Sequence, residues 1–206
     1  MQTLTRELQS AMTPDEALMR LKEGNARFVE NRQAERELLQ QVHETGAGQY
    51  PFAIVLGCVD SRVPPEVIFD QGIGDIFSAR IAGNFVNEDI LGSMEFATRV
   101  AGAKLILVLG HTRCGAIMGA IDDVKLGNLT GMLAKLKPAV EAAAAPGETY
   151  SSENGEFVQA VTENNVELTL AAIGEKSPVL REMLAAGEIK LAGAVYDVET
   201  GKVSFM

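Results

Sequence analysis

Cysteine and histidine are scarce in this chain, with two of each in 206 residues, and tryptophan does not occur. So few cysteines exclude a disulfide scaffold, which needs more of them in a smaller chain. A single Cys58–Cys114 bridge is the most the count allows. Positive charge is also short: Lys and Arg number 18 against 28 Asp and Glu, a formal charge of −10. A field of that sign repels phosphate backbones and does not favour anionic lipid, so no nucleic acid and no membrane is expected as a partner. Charge-free runs of bilayer-spanning length are missing. The start, Met1-Gln2-Thr3-Leu4-Thr5-Arg6-Glu7, has no apolar core of the export-leader kind, which reads as cytoplasmic unless a leader was removed.

What is present suits a globular α/β chain. Hydrophobic residues make up 47% and charged residues 22%, and 206 residues can bury one sizeable core, so a single domain over 1–206 is expected. An N-terminal helical arm (1–48) precedes an α/β core (51–206). In the arm, Thr13-Pro14-Asp15-Glu16 carries an N-cap, a proline at the first helical position and a glutamate at the third. One amphipathic helix over 14–31 follows, through Leu18, Leu21 and Phe28. Residues 32–48 are polar and are assigned no element; His43 there reads as a solvated loop histidine. Strands are expected at 52–56, 75–81, 104–109, 191–198 and 203–205. Helices are expected from Pro64, over 89–101 to Gly102, from Gly115, over 128–144 with a break at Pro138, over 157–173, and from Ser177-Pro178 to Gly187. The alanines 142–145 and Pro146-Gly147 end the fourth of these. Alternation of strands and helices with short links predicts a mostly parallel central sheet flanked by helices, with a C-terminal edge strand.

Both cysteines follow strongly apolar runs. Cys58 opens Cys58-Val59-Asp60-Ser61-Arg62, and Cys114 lies in His111-Thr112-Arg113-Cys114-Gly115. Each motif therefore falls at the carboxyl end of an expected parallel strand, where open α/β sheets place their chemistry. Two thiolates and an imidazole brought together there make a three-ligand zinc site. The remaining position goes to water or to Asp60. A closed structural site needs four protein donors, and the scarcity of cysteine and histidine favours an exchangeable fourth position, hence catalysis. Asp60 and Arg62, two apart in extended backbone, share a side. They form either a pair that orients a nucleophile or a salt bridge that pins the loop. A redox role for the two thiols lacks the usual Cys-x-x-Cys spacing.

The combination Cys-x-Asp-x-Arg with His-x-x-Cys-Gly resembles the β-class carbonic anhydrases, and the likeness covers nearly the whole chain. It implies reversible hydration of carbon dioxide to bicarbonate, one Zn2+ on Cys58, His111 and Cys114, and zinc-bound hydroxide oriented by an Asp60–Arg62 dyad. It also implies an alternative closed state with Asp60 as fourth ligand, and assembly as a homodimer or a dimer-of-dimers tetramer. By the same resemblance Gln49, Phe77, Ala82, Phe96 and Gly115 line the carbon dioxide pocket. Ala82 stands where valine is common, which enlarges the pocket, and Phe96 stands where tyrosine is common, which removes a hydroxyl. Val55 stands where the branch with bicarbonate-stabilised closure often has tryptophan, which favours the open site. Gln49, Phe77 and Phe96 can come from both subunits. Three other functions compete: hydrolysis of carbonyl sulfide or carbon disulfide on the same scaffold, a zinc-stabilised binding protein, and a thiol redox regulator.

Overall fold

In the computed structural model, which describes residues 3–145 and 150–206, the apolar runs after Pro51 assemble into one five-stranded sheet. The strands are β1 (Ala53–Gly57), β2 (Ile76–Arg80), β3 (Leu105–His111), β4 (Lys190–Tyr196) and β5 (Val203–Phe205), in the order β2-β1-β3-β4-β5. Four run parallel, and β5 pairs antiparallel with β4 at the edge. Every residue of β1 and β3 is buried, because helices cover both faces of the central strands. That double burial is why these strands read as unbroken apolar runs. On the outer strand β2, burial instead falls away after Ile76.

The two faces have separate cores. Val55, Leu105, Leu107 and Leu109 pack with Ala17 and Leu21 of the arm and with Ile68 and Phe69. Ile54, Leu56, Ile106 and Val108 point the other way, onto Met94, Val166, Ile173, Leu180 and Met183. The alternation follows from the two-residue period of a strand. The helices before β2 are α1 (Arg6–Ala11), α2 (Pro14–Val29), α3 (Leu38–Thr45) and the short α4 (Pro65–Ile68), of which α2 and α4 pack on the first face. Those that follow are α5 (Glu88–Glu95), α6 (Gly115–Ile121), α7 (Gly127–Leu133), α8 (Lys137–Ala143), α9 (Gly155–Lys176) and α10 (Pro178–Ala185).

The capping box expected at Thr13 forms: its hydroxyl accepts from Glu16 N–H at 3.2 Å, and Glu16 accepts from Thr13 N–H at 2.7 Å. The helix expected over 89–101 changes at Phe96 into a π-helical turn over Phe96–Val100 and stops at Gly102, which takes φ +84°. The expected helix 128–144 is two helices joined by a 3-10 turn, and Pro138 sits in the first turn of α8, where its missing N–H costs nothing. The Pro146-Gly147 stop lies outside the described residues, as do Met1 and Gln2.

Two helices went unanticipated. α1 precedes the expected helix, and α3 occupies part of the polar stretch 32–48. Leu38, Leu39 and Val42 of α3 are exposed, and its one buried residue is Gln41, whose amide oxygen accepts from Ile73 N–H at 3.1 Å. A helix that docks through a buried amide leaves no inward apolar stripe to read. His43 is exposed, as expected, but lies on this helix and not in a loop.

Candidate metal centre

The order of the sheet reverses between β1 and β3. From β1 the chain moves outward to β2, and from β3 it moves the other way to β4. Carboxyl ends of strands at such a reversal open a crevice. Cys58 follows β1 directly, and His111 is the last residue of β3, paired with Tyr196, where the sequence suggested a loop. Arg113 then takes a left-handed turn (φ 54°), and Cys114 becomes the N-cap of α6. The neighbouring pairing of β1 and β3 places both motifs side by side.

Cys58, His111 and Cys114 are all buried, and their donor atoms lie within 4.8 Å of one another, the one such cluster among the described residues. The two sulfurs are 4.0 Å apart. Two sulfurs on a tetrahedral ion at the usual bond length stand about 3.8 Å apart, whereas a disulfide needs about 2 Å. The imidazole is oriented for the same task. His111 Nδ1 lies 2.9 Å from the Thr112 carbonyl, which can only accept, so Nδ1 carries the proton. Nε2 is left with its lone pair, buried and without a hydrogen-bond partner. Two sulfurs and one unused imidazole nitrogen fit a borderline-soft divalent metal.

Electrostatics separates the two thiols. The Cys114 thiol donates to Cys58, and the Gly83 and Asp60 N–H groups point at the same sulfur, so Cys58 is held well below the usual thiol range against the burial that opposes ionisation. Cys114 is pushed up by that hydrogen bond to Cys58, by burial and by the Cys58 charge. The pair thus shares one proton at neutral pH, and a dication would take that proton's place.

Asp60 does not point into the sulfur cluster. Its carboxylate is gripped by Arg62, with Nε on Oδ1 at 2.9 Å, Nη2 on Oδ2 at 2.7 Å and the Arg62 N–H on Oδ1 at 2.9 Å. The Arg62 hydrogen bonds hold the Asp60 carboxyl at about 2, below the usual carboxylate range. Arg62 Nη2 also reaches the Arg113 carbonyl at 3.4 Å, so one guanidinium touches both motif loops.

Three supporting residues carry no signal in the sequence. Gly83 takes φ +81° and donates its N–H to the Cys58 sulfur at 3.4 Å. Asn165, buried in α9 and 82 positions away, donates to the Gly83 carbonyl at 2.8 Å. Arg80, at the end of β2, donates to the carbonyls of Cys58 and Asp60. Of the residues expected to line a pocket, Ala82 precedes Gly83 and Gly115 follows Cys114, so both flank the centre. Phe77 and Phe96 meet edge to face at 6.1 Å and line an open cavity of about 690 Å3 beside β2, with Ile54 and Ile90. Gln49 is exposed at the amino end of β1, the end opposite Cys58. A strand of that length separates them by about 13 Å within one chain.

Comparison with known proteins agrees with this geometry. The carbonic anhydrase family model matches residues 53–203. Carbonic anhydrase 2 of Mycobacterium tuberculosis is 37% identical over 191 residues, covering 92% of this chain and 91% of that protein. The β-carbonic anhydrase structure of Aspergillus fumigatus superposes with a TM-score of 0.73 at 30% identity, over 93% of this chain and 89% of the other. A β-carbonic anhydrase of Sordaria macrospora, described as tetrameric, superposes with a TM-score of 0.69 at 26% identity, over 81% and 89%. A Cys-His-Cys cluster at the β1/β3 switch point, on a chain matched along nine-tenths of its length, identifies this protein as a member of the β-carbonic anhydrase family, whose enzymes are carbonate dehydratases.

Proposed function

We propose that the chain catalyses reversible hydration of carbon dioxide to bicarbonate and a proton, with zinc held by Cys58, His111 and Cys114. The observation that carries this is the arrangement of donors: three converge, and the nearest carboxylate, Asp60, is turned away onto Arg62. Zinc in such a site supplies Lewis acidity and makes water available as a nucleophile near neutral pH. The chain's own residues do the rest. Asp60, kept ionised by Arg62, accepts the O–H of the nucleophile and so aims its lone pair at the carbon of carbon dioxide. As the new C–O bond forms, the π pair of one C=O moves onto its oxygen. Carbon dioxide needs no charged anchor, and Ala82 and Gly115 leave small apolar surface beside the centre. The proton released on regeneration passes to solvent or buffer.

On this reading Gln49, Phe77 and Phe96 line the pocket of a second copy's centre; the support is that Gln49 lies at the end of β1 opposite Cys58. The apolar surface left open on one chain, including Phe96, Leu39 and Val100, supports the same homodimeric reading, with a dimer of dimers as its extension. No helix among the described residues is long and apolar enough to cross a membrane.

Stopped-flow measurement of proton release on mixing with carbon dioxide tests the reading, with Asp60→Asn as the diagnostic variant. The variant keeps the size of Asp60 and loses its charge. It should retain one zinc per chain while kcat/KM falls by about 10²–10³. Asp60→Asn turning over like the parent, or a zinc-loaded parent that releases no proton, refutes it.

A further inference from the structure

The last backbone hydrogen bond between β1 and β2 at the carboxyl end runs from Ile81 N–H to the Gly57 carbonyl at 3.1 Å. Beyond it the two chains part, one into loop 58–62 and the other into loop 81–84. At that point a side chain takes over from the ladder. Arg80, paired with Gly57 in register, donates Nε to the Cys58 carbonyl at 2.8 Å and Nη2 to the Asp60 carbonyl at 2.6 Å. Nε and that Nη lie on one edge of a rigid planar fork, so the two carbonyls are held at a fixed spacing. The Asp60 carbonyl also accepts Val63 N–H at 3.0 Å, which closes the loop into a turn against the clamp.

We propose that Arg80 is a positioning residue for the reaction: by clamping the carbonyls of Cys58 and Asp60 it sets where the Asp60 carboxylate stands relative to the metal-binding sulfur. The loop's other ties are weaker or local. Arg62 and Asp60 grip each other and travel with the loop, and the Arg62 contact with Arg113 is 3.4 Å long. Arg80 anchors the loop to the sheet edge through its geometry rather than its charge, so lysine cannot replace it. The inference rests on the function proposed above, since it assigns Arg80 to the orientation of that centre.

The test uses the full zinc-loaded chain with Arg80→Lys, Arg80→Gln and Arg80→Ala. Two quantities are read: the rate at which zinc passes to excess chelator, and kcat/KM for carbon dioxide hydration. Arg80 is exposed on an edge strand, and circular dichroism checks that each variant folds. Both Arg80→Lys and Arg80→Gln should keep one zinc per chain, release it on the order of tenfold faster, and lose on the order of tenfold in kcat/KM. Millimolar methylguanidinium should restore part of the kcat/KM of Arg80→Ala, which a purely structural defect would not allow. Wild-type values for Arg80→Lys in both readings overturn the proposal, because charge alone then suffices. A parent chain that binds zinc without hydrating carbon dioxide refutes the enzymatic reading instead, and the chelator rates still decide whether Arg80 holds the loop.

Discussion

Replacing Gly83 with alanine probes the junction between fold and metal centre. Gly83 takes φ +81°, a conformation that costs an alanine about 1 kcal/mol more than a glycine. Its new methyl would stand 2.7 and 3.0 Å from the methyls of Leu136 and 3.4 Å from Ala116. Leu136 is fully buried, so it yields only by disturbing the cluster beneath Cys58 and Cys114, and such overpacking costs about 1–3 kcal/mol. Together these give a loss of about 3 kcal/mol, or a melting temperature lower by about 6–12 °C in a chain of this size. The shift also moves the N–H that points at the Cys58 sulfur, so zinc should leave faster. Differential scanning calorimetry on zinc-loaded protein and chelator competition measure the two effects. Gly155→Ala is the control, because nothing stands within 4 Å of the added methyl in the first turn of α9; it should leave stability unchanged or slightly raised. A Gly83→Ala variant that melts with the parent and holds zinc equally well refutes the reasoning.

Zinc affinity should rise about tenfold per pH unit between pH 7.5 and 8.5, because the ion displaces the one proton shared by Cys58 and Cys114. Competition with a chelator of known protonation measures this, and a two-proton slope contradicts it. The Asp60 carboxyl is held at about 2, so the group stays charged above that value and its contribution to stability disappears only as pH falls towards it. Carboxyl-carbon NMR should show that midpoint in the parent and a value near the ordinary aspartate, about 3.9, in Arg62→Met; a parent midpoint above the ordinary value contradicts the dyad. Asp70, buried between the arm and the core, accepts from Arg27 Nε at 2.6 Å, from Ala34 N–H at 3.2 Å and from Arg36. Asp70→Ala should cost about 3–5 kcal/mol in chemical denaturation, since it leaves two arginines without their carboxylate; a loss well under 1 kcal/mol would show that the arm does not depend on that pair.

The central sheet was legible because β1 and β3 are buried on both faces, and their unbroken apolar runs cannot be amphipathic helices of that length. The three metal donors were legible for a related reason: scarce residue types fell at the ends of those two runs. Strand adjacency, which the sequence does not state, then brought Cys58 within 4.0 Å of Cys114. The supporting residues were hidden because each acts through backbone or over long separation. Gly83 works through its N–H, Asn165 lies 82 positions from its partner, and Arg80 reaches carbonyls that any residue could carry. α3 was hidden because its buried contact is the polar Gln41 while its leucines face outward.

Titrating zinc into metal-free protein while recording proton release from carbon dioxide tests the central claim most directly. Activity should climb linearly and break at one zinc per chain, and Cys58→Ser and His111→Ala should remove that break. Full activity without metal, or one zinc bound per chain with no proton release, would contradict the account.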